Sequence, residues 1–227
     1  MKTIISVIML IMMTTLSYAN DIYVTQSGNA LDLDITQDGE NNTVGNSTTA
    51  SASAGATTIL NIDQIGNSNV ITYQINGATY TGVINLVGNS NNVDLNCDST
   101  GGNSSCGTAN AVINFTGSSN DIDLDIGQTS SANTADVDIV GQSGSDSNVV
   151  AATVDGNSAV LTITVNGDTN NYLIDIDGNG DSVGHTLIHS HTGGIADVDI
   201  IQSGTNDNMI TLTTSGDNAD IDISQTD

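Results

Sequence analysis

The stretch Ile62-Asp63-Gln64-Ile65-Gly66-Asn67-Ser68-Asn69 decides the fold that we expect for this chain. Its first half alternates between residues suited to a core and residues suited to solvent, which is typical of a half-buried β-strand. The Gly-Asn pair that follows is a tight-turn signal, and a second strand begins after it. The same Gln-x-Gly phrase returns at four other places, namely Gln26-Ser27-Gly28, Gln37-Asp38-Gly39, Gln142-Ser143-Gly144 and Gln202-Ser203-Gly204.

Glycines mark a period of eleven residues along much of the chain, as from Gly66 to Gly77 and from Gly77 to Gly88. The position four residues before each repeat glycine is apolar throughout, except where it holds His189. Each repeat is too small to bury its own apolar face, so successive repeats have to stack. The sequence therefore predicts an all-β protein, a β-solenoid of stacked strand-turn-strand repeats with about 22 residues per turn in two halves of about 11.

The first nineteen residues differ from the repeats. Lys2 precedes the apolar run Ile4–Met13, and the small-residue pattern Ser17-Tyr18-Ala19 follows it. This order predicts a secretory signal peptide over residues 1–19, because the apolar run is too short to span a bilayer. We therefore expect one β-solenoid repeat domain over residues 20–227, secreted to the extracellular space or the cell surface and without membrane insertion after cleavage.

The composition is strongly acidic, with 26 Asp and Glu against a single Lys or Arg and a net charge of −25. The one cation, Lys2, belongs to the predicted signal peptide, so nucleic acid is excluded as a partner because its binding depends on Lys and Arg. Two interpretations of the carboxylates stay open. They either keep an exported protein soluble in a salty medium that screens them, or they bind divalent cations.

The regular pattern lapses at residues 43–58, 96–110 and 128–135, which we expect to be loops or bulges within a single domain. Cys97 and Cys106 are the only cysteines, and they enclose a short Gly-, Ser- and Asn-rich segment of the second lapse. An exported protein meets an oxidising compartment. The sequence therefore predicts a disulfide between them, worth about 2–3 kcal/mol in the chain-entropy model.

Candidates for other chemistry are few. Asp175, Asp177 and Asp181 have the spacing of a calcium loop, but the acidic residue expected at the twelfth position is missing, and outward strand residues are the alternative. His189 and His191 are expected to point inward, as structural histidines or as two ligands without an evident third. No nucleophile elbow or catalytic triad is recognisable, so we expect no enzyme and no obligatory cofactor.

The phrase Gln-x-Gly-x-x-Asn, recurring with alternating apolar residues, resembles the curlin repeat of curli fibre subunits. Two copies match it directly and two match it with one residue inserted, the paired glutamines of a repeat are also present, and the pattern persists at the C-terminus. The residues that carry the resemblance are Gln26, Gly28, Gln37, Gly39, Asn42, Gln64, Gly66, Asn69, Gln74, Gln142, Gly144, Asn148, Gln202, Gly204, Asn208 and Gln225. From the residues themselves we expect inward glutamines stacked in a ladder, because a buried amide needs a partner in the next layer, and turn asparagines bonded to the neighbouring loop.

The resemblance implies a structural subunit of extracellular, pilus-like amyloid fibres that support cell adhesion and biofilm. It further implies self-association and partners of the curli export and nucleator type. A monomeric, secreted, acidic β-solenoid that binds calcium, a polysaccharide or another surface is the alternative, since the same repeats would build either protein. The repeat pattern continues without a polar cap through Ile221–Gln225, which favours end-to-end assembly.

Overall fold

The computed structural model describes residues 20–45, 51–97, 106–127, 134–142, 144, 146–156, 158–177, 185–204 and 208–226. The predicted signal peptide lies outside these residues. The described strands are β1 (Asn20–Ile22), β2 (Thr25–Ser27), β3 (Ala30–Asp38), β4 (Asn42–Val44), β5 (Ser51–Ile65), β6 (Ser68–Val87), β7 (Ser90–Cys97), β8 (Thr108–Thr116), β9 (Ser119–Ile126), β10 (Thr134–Gly141), β11 (Asn148–Asp155), β12 (Ser158–Asn166), β13 (Thr169–Asp177), β14 (Thr186–Thr192), β15 (Ile195–Ser203), β16 (Met209–Ser215) and β17 (Asn218–Thr226). None of the described residues forms a helix long and apolar enough to cross a bilayer.

The strands pair in parallel and in two columns, which confirms the predicted β-solenoid. One column runs through β3, residues 57–65 of β5, residues 79–87 of β6, β8, β10, β12, β14 and β16. The other runs through β1, β4, the first half of β6, β7, β9, β11, β13, β15 and β17. The chain alternates between the columns, so each turn contributes one strand to each.

The predicted turn length is right for only some turns. Asn69 stacks on Asn91 with an offset of 22 residues, but Asn91 stacks on Asn120 with an offset of 29. The longer connections follow β7, β9 and β13, all strands of the second column. The lapses predicted at residues 43–58, 96–110 and 128–135 are shorter than expected, because their ends belong to β4, β5, β7, β8 and β10; of the remaining residues, Gly45, Cys106 and Gly107 are described and the others lie outside the described part.

Inward side chains stack on the same residue type from turn to turn and form one hydrophobic core. The clearest column consists of Ile35, Ile62, Ile84, Ile113, Ile139 and Ile163, continued by His189 and Leu212. β-Branched side chains suit this arrangement, because their restricted rotamers fit a pleated surface. Val140, which the glycine alignment placed inward, is displaced by the insertion near Gly144; Val137 and Ile139 point into the core instead.

Successive turns approach most closely at the tight corner between the first column and the second. A Cβ added to Gly66 would lie 1.9 Å from the carbonyl oxygen of Gly39, and one added to Gly88 would lie 1.9 Å from that of Gly66. The amide of Gly88 also donates to the carbonyl of Thr116 in the next turn, at 2.9 Å. Glycine is required here because the backbones themselves are in contact.

We predict that Gly88→Ala lowers the free energy of unfolding by on the order of 3 kcal/mol, because the new methyl group displaces the backbone of the preceding turn. Gly28→Ala is the matched control, since its Cβ would meet only the flexible Gln26 side-chain nitrogen, at 3.0 Å. Urea denaturation of both variants measures the difference. Equal destabilisation of the two would contradict the close stacking of the corner.

Candidate functional site

A ladder of asparagines runs through the second column, and all its members except the terminal Asn20 are buried. The members stack in the order Asn20, Asn42, Asn69, Asn91, Asn120, Asn148 and Asn170. Each Nδ2 donates to the Oδ1 of the next member, at 3.1 Å from Asn42 to Asn69 and 2.6 Å from Asn91 to Asn120. The turn asparagines therefore point inward and bond one another, which the sequence had predicted only as a contact to the neighbouring loop.

The side-chain amides of the ladder also donate to backbone carbonyl oxygens of the tight corner. Nδ2 of Asn120 donates to the carbonyl oxygen of Gly117 at 2.9 Å, and Nδ2 of Asn170 donates in the same way to Gly167. The ladder thereby satisfies polar groups that the interior would otherwise leave without partners. Because a slip by one residue would break every bond of the series, the ladder fixes the register in which turns stack.

The ladder ends at a histidine. Nδ2 of Asn170 lies 3.1 Å from Nδ1 of His191, and the Tyr172 hydroxyl lies 3.1 Å from the same nitrogen. Both groups can donate a hydrogen bond to that nitrogen when it carries no proton, and burial lowers the pKa of His191, which favours the neutral ring. Beyond this point the asparagine position of the column holds Ala196 and Ala219.

The predicted glutamine ladder is confirmed at only two pairs. Nε2 of Gln64 donates to Oε1 of Gln37 at 2.7 Å, and Nε2 of Gln225 donates to Oε1 of Gln202 at 3.3 Å. The two pairs lie in different columns, and the positions that stack on Gln64 continue as Leu86, Phe115, Gly141 and Val165 and then as His191 and Thr214.

The other predicted ladder glutamines make no glutamine–glutamine bond within the described residues. Gln74 and Gln142 are exposed, and Gln26 donates to the carbonyl of Ala30 in its own turn. Asn208, the last turn asparagine of the resemblance, accepts a bond from the amide of His185 at 3.2 Å instead of joining the asparagine ladder.

Outward carboxylates are stacked on amides in several columns. Nδ2 of Asn61 donates to Asp34 at 2.8 Å, and Nδ2 of Asn85 donates to Asp63 at 2.6 Å. An exception is Asp94, which pairs with Asp123 of the next turn. The pKa of the Asp123 carboxyl is raised by partial burial and then by the carboxylate of Asp125. In a chain whose only Lys or Arg is Lys2, amides thus separate many of the carboxylates that no Lys or Arg neutralises.

The described residues give no metal site. Asp175 and Asp177 lie in β13, whereas Asp181 lies outside the described part, so the calcium loop stays an untested prediction. No group of three His, Cys, Asp or Glu that could hold a metal occurs among the described residues. His189 fills a position of the isoleucine column, is 1% exposed, and packs its ring edge-on against Tyr172 with centroids 4.3 Å apart.

Cys97 and Cys106 are joined by a disulfide, with Cα atoms 5.9 Å apart. Both residues are fully buried, and Cys97 lies at the end of β7, where it stacks on Ile126 of the next turn. The bond therefore ties the end of β7 to the end of the connection that leads into β8, close to the inward columns.

The last layer of the described solenoid, β16 and β17, has a neighbour on one side only. Its inward positions are consequently open to solvent: Ile221 and Ile223 are 38% and 48% exposed. One turn earlier the same positions hold Val198 and Ile200, which are 0% and 1% exposed. This open terminal layer presents unpaired backbone groups and apolar side chains, and both can template another strand.

Comparison with known proteins finds no match: no protein-family model, no curated protein and no solved structure is similar to this chain. Its function therefore has to be inferred from the ladders, the outward charges and the open terminal layer.

We predict that Asn91→Ala lowers the free energy of unfolding by about 2–4 kcal/mol, because it leaves the amide of Asn69 and the oxygen of Asn120 buried without their partner. Asn92→Ala is the control on the same strand, since Asn92 is half-buried and bonds only the exposed Asp121, at 3.4 Å. Chemical denaturation of both variants tests the ladder. An Asn91 variant as stable as the Asn92 variant would refute its role.

We also predict an acid-sensitive stability that depends on His189. Burial, reinforced by His191, lowers the pKa of His189 from its ordinary 6.5 to about 4. Between pH 6.5 and about pH 4 the His189 ring is protonated in the unfolded chain but stays neutral in the folded chain. The free energy of unfolding therefore falls as pH falls through this window. His189→Leu should abolish that loss, on the order of 3 kcal/mol at pH 4.

Thermal midpoints measured from pH 7 to pH 4 give the comparison. Ile163→Leu, one turn earlier in the same column, alters packing without removing a titrating group and should keep the wild-type dependence. A His189→Leu protein with an unchanged pH dependence would contradict the interpretation.

Proposed function

We propose that this chain is a secreted, curli-like structural subunit whose copies stack end to end into extracellular cross-β fibres that support adhesion and biofilm. The observation that carries the proposal is the open terminal layer formed by β16 and β17, whose inward side chains are partly exposed although their equivalents in the preceding turn are buried.

The two ends of the described solenoid have matching chemistry. If a second copy continued the columns, Leu212 would stack on Ile35 and Ile221 on Ile22, since these pairs occupy the same columns. Apolar residues would therefore meet apolar residues across the junction. Ile22 and Leu33 at the first layer are only partly buried, as are Ile210 and Leu212 at the last.

The glutamines add a specific contact to this junction. Gln225 occupies the same column as Gln26, through Gln202 and the residues between them. The bond from Gln225 to Gln202 would then be followed by an equivalent bond from Gln26 of the next copy to Gln225. Ladders of this kind are a recurrent source of stability in cross-β structures.

The energetic balance favours growth in salt. Burying a half-exposed isoleucine contributes on the order of 1 kcal/mol, and the junction also pairs two strand edges. Against this stand the loss of rigid-body freedom and the mutual repulsion of highly acidic copies, including Asp220 of one copy facing Asp21 of the next. Screening by salt, or protonation in mild acid, reduces only the repulsive part.

We predict that residues 20–227, purified and incubated in salt, form fibres with a meridional spacing near 4.7 Å. Ile223→Lys should stop growth, because it places a charge in the junction, while circular dichroism shows a folded monomer. Ser224→Lys is the control, because Ser224 lies on the outward side of the same strand, in register with the exposed Ile201.

Dye binding, fibre diffraction and electron microscopy follow the three proteins. Wild-type protein that stays monomeric at high concentration, in salt and in acid, would overturn the fibre proposal in favour of a monomeric acidic solenoid that binds another molecule. Growth of the Ile223→Lys protein at the wild-type rate would show that fibres form by a different junction.

A further inference from the structure

Beyond β10, which bears Asp136 and Asp138 on its outward side, the strands of the first column carry no carboxylates. The outward side chains of β12, β14 and β16, which we call the neutral face, are Thr, Ser and Asn with a few apolar residues, and residues 158–166, 186–192 and 209–215 contain no Asp or Glu. The opposite side of the same turns bears Asp197 and Asp199 stacked on Asp220 and Asp222. The last three turns are therefore acidic on one side, whereas the strands on their other side are uncharged.

The charge of the protein limits where two copies can touch side by side. No Lys or Arg follows Lys2, so no ion pair with such a residue can attract two mature copies. Contact through the acidic side would bring aspartates together without a partner, which costs free energy even near a surface. A lateral contact between copies is thus favoured where carboxylates are missing.

The neutral face carries exposed large and small side chains that can pack against a second sheet. Ile188 is 39% exposed and Met209 is 50% exposed, and the shorter Thr162 and Thr211 flank Ile188 in the same column. Large and small side chains on a regular parallel sheet interdigitate when two such sheets pack about 10 Å apart. Threonine contributes a methyl group to this packing and a hydroxyl that can bond across it.

We propose that the neutral face packs against the neutral face of a second copy, so that two filaments of the proposed fibre run paired side by side. The proposal rests on the proposed function, because one patch is too small to hold two monomers. Three strands 4.8 Å apart and seven residues long give roughly 300 Å² per copy, or about 600 Å² in total, below the roughly 1,000 Å² of a stable interface. A filament repeats the patch once per copy, and the contacts then add along its length.

The test compares the same substitution on the two sides. Ile188→Asp adds a carboxylate at the centre of the neutral face, between Thr162 and Thr211. Ile195→Asp adds one on the acidic side, where Ile195 is 51% exposed and pairs with Thr169 and Asn218. Neither variant places its new carboxylate beside an existing one in its column, so both should fold.

Fibres of the full mature chain are grown at pH 7 in salt, and their mass per length is measured by electron microscopy. We expect two filaments per fibre for the wild type and for Ile195→Asp, and a halved mass per length for Ile188→Asp. Single filaments in the wild type would overturn the pairing while leaving the fibre itself, and would free the neutral face for another occupant such as an uncharged polysaccharide. Paired Ile188→Asp filaments, or single Ile195→Asp filaments, would also overturn it, whereas absence of any wild-type fibre would remove the proposed function and the pairing together.

Discussion

The close approach of successive turns at the glycine corner is the constraint on which the rest of this structure depends. Where the carbonyl of one glycine lies against the Cα of the next, no side chain fits, and the spacing between turns is fixed by backbone contact. At that spacing identical inward residues are in van der Waals contact, and amides at equivalent positions come within hydrogen-bond distance. The isoleucine column and the asparagine ladder are both consequences of this one distance.

The asparagine ladder has the larger role in specifying the fold, because apolar columns tolerate exchange among Ile, Val and Leu whereas a broken amide series does not. Seven asparagines bond one another in the same direction. Where the series stops at His191, the neighbouring interior also becomes less regular: His189 replaces an isoleucine, and neither of its ring nitrogens has a hydrogen-bond partner. The polar interior near the C-terminal layers is therefore less fully satisfied than that of the middle turns.

Because no Lys or Arg follows Lys2, repulsion between the carboxylates of the solenoid can be reduced only by where they are placed. Part of that is done by amides stacked on carboxylates, as at Asn61 with Asp34, and part by concentrating aspartates on one side of the last turns. These arrangements leave an apolar end and an uncharged side on an otherwise acidic rod. Both are places where a second copy meets little opposing charge, which connects the charge distribution to the assembly proposed above.

The sequence by itself determined the strand class, the alternation and the corner glycines, because each of these depends on contacts within a few residues. It also identified Gln37 and Gln64 as stacking positions and Asn42 and Asn69 as turn positions, because both copies carry the complete Gln-x-Gly-x-x-Asn phrase. It did not determine which glutamines meet or that the asparagine series is the longer ladder. Those depend on which half-repeat stacks on which, and insertions of up to seven residues change the offset from 22 to 29. Only the tertiary structure decides that register, because the insertions lie in connections whose length leaves the strand pattern on either side unchanged. As a result, Gln74 points outward and the Gln64 position continues as Leu86 in the next turn.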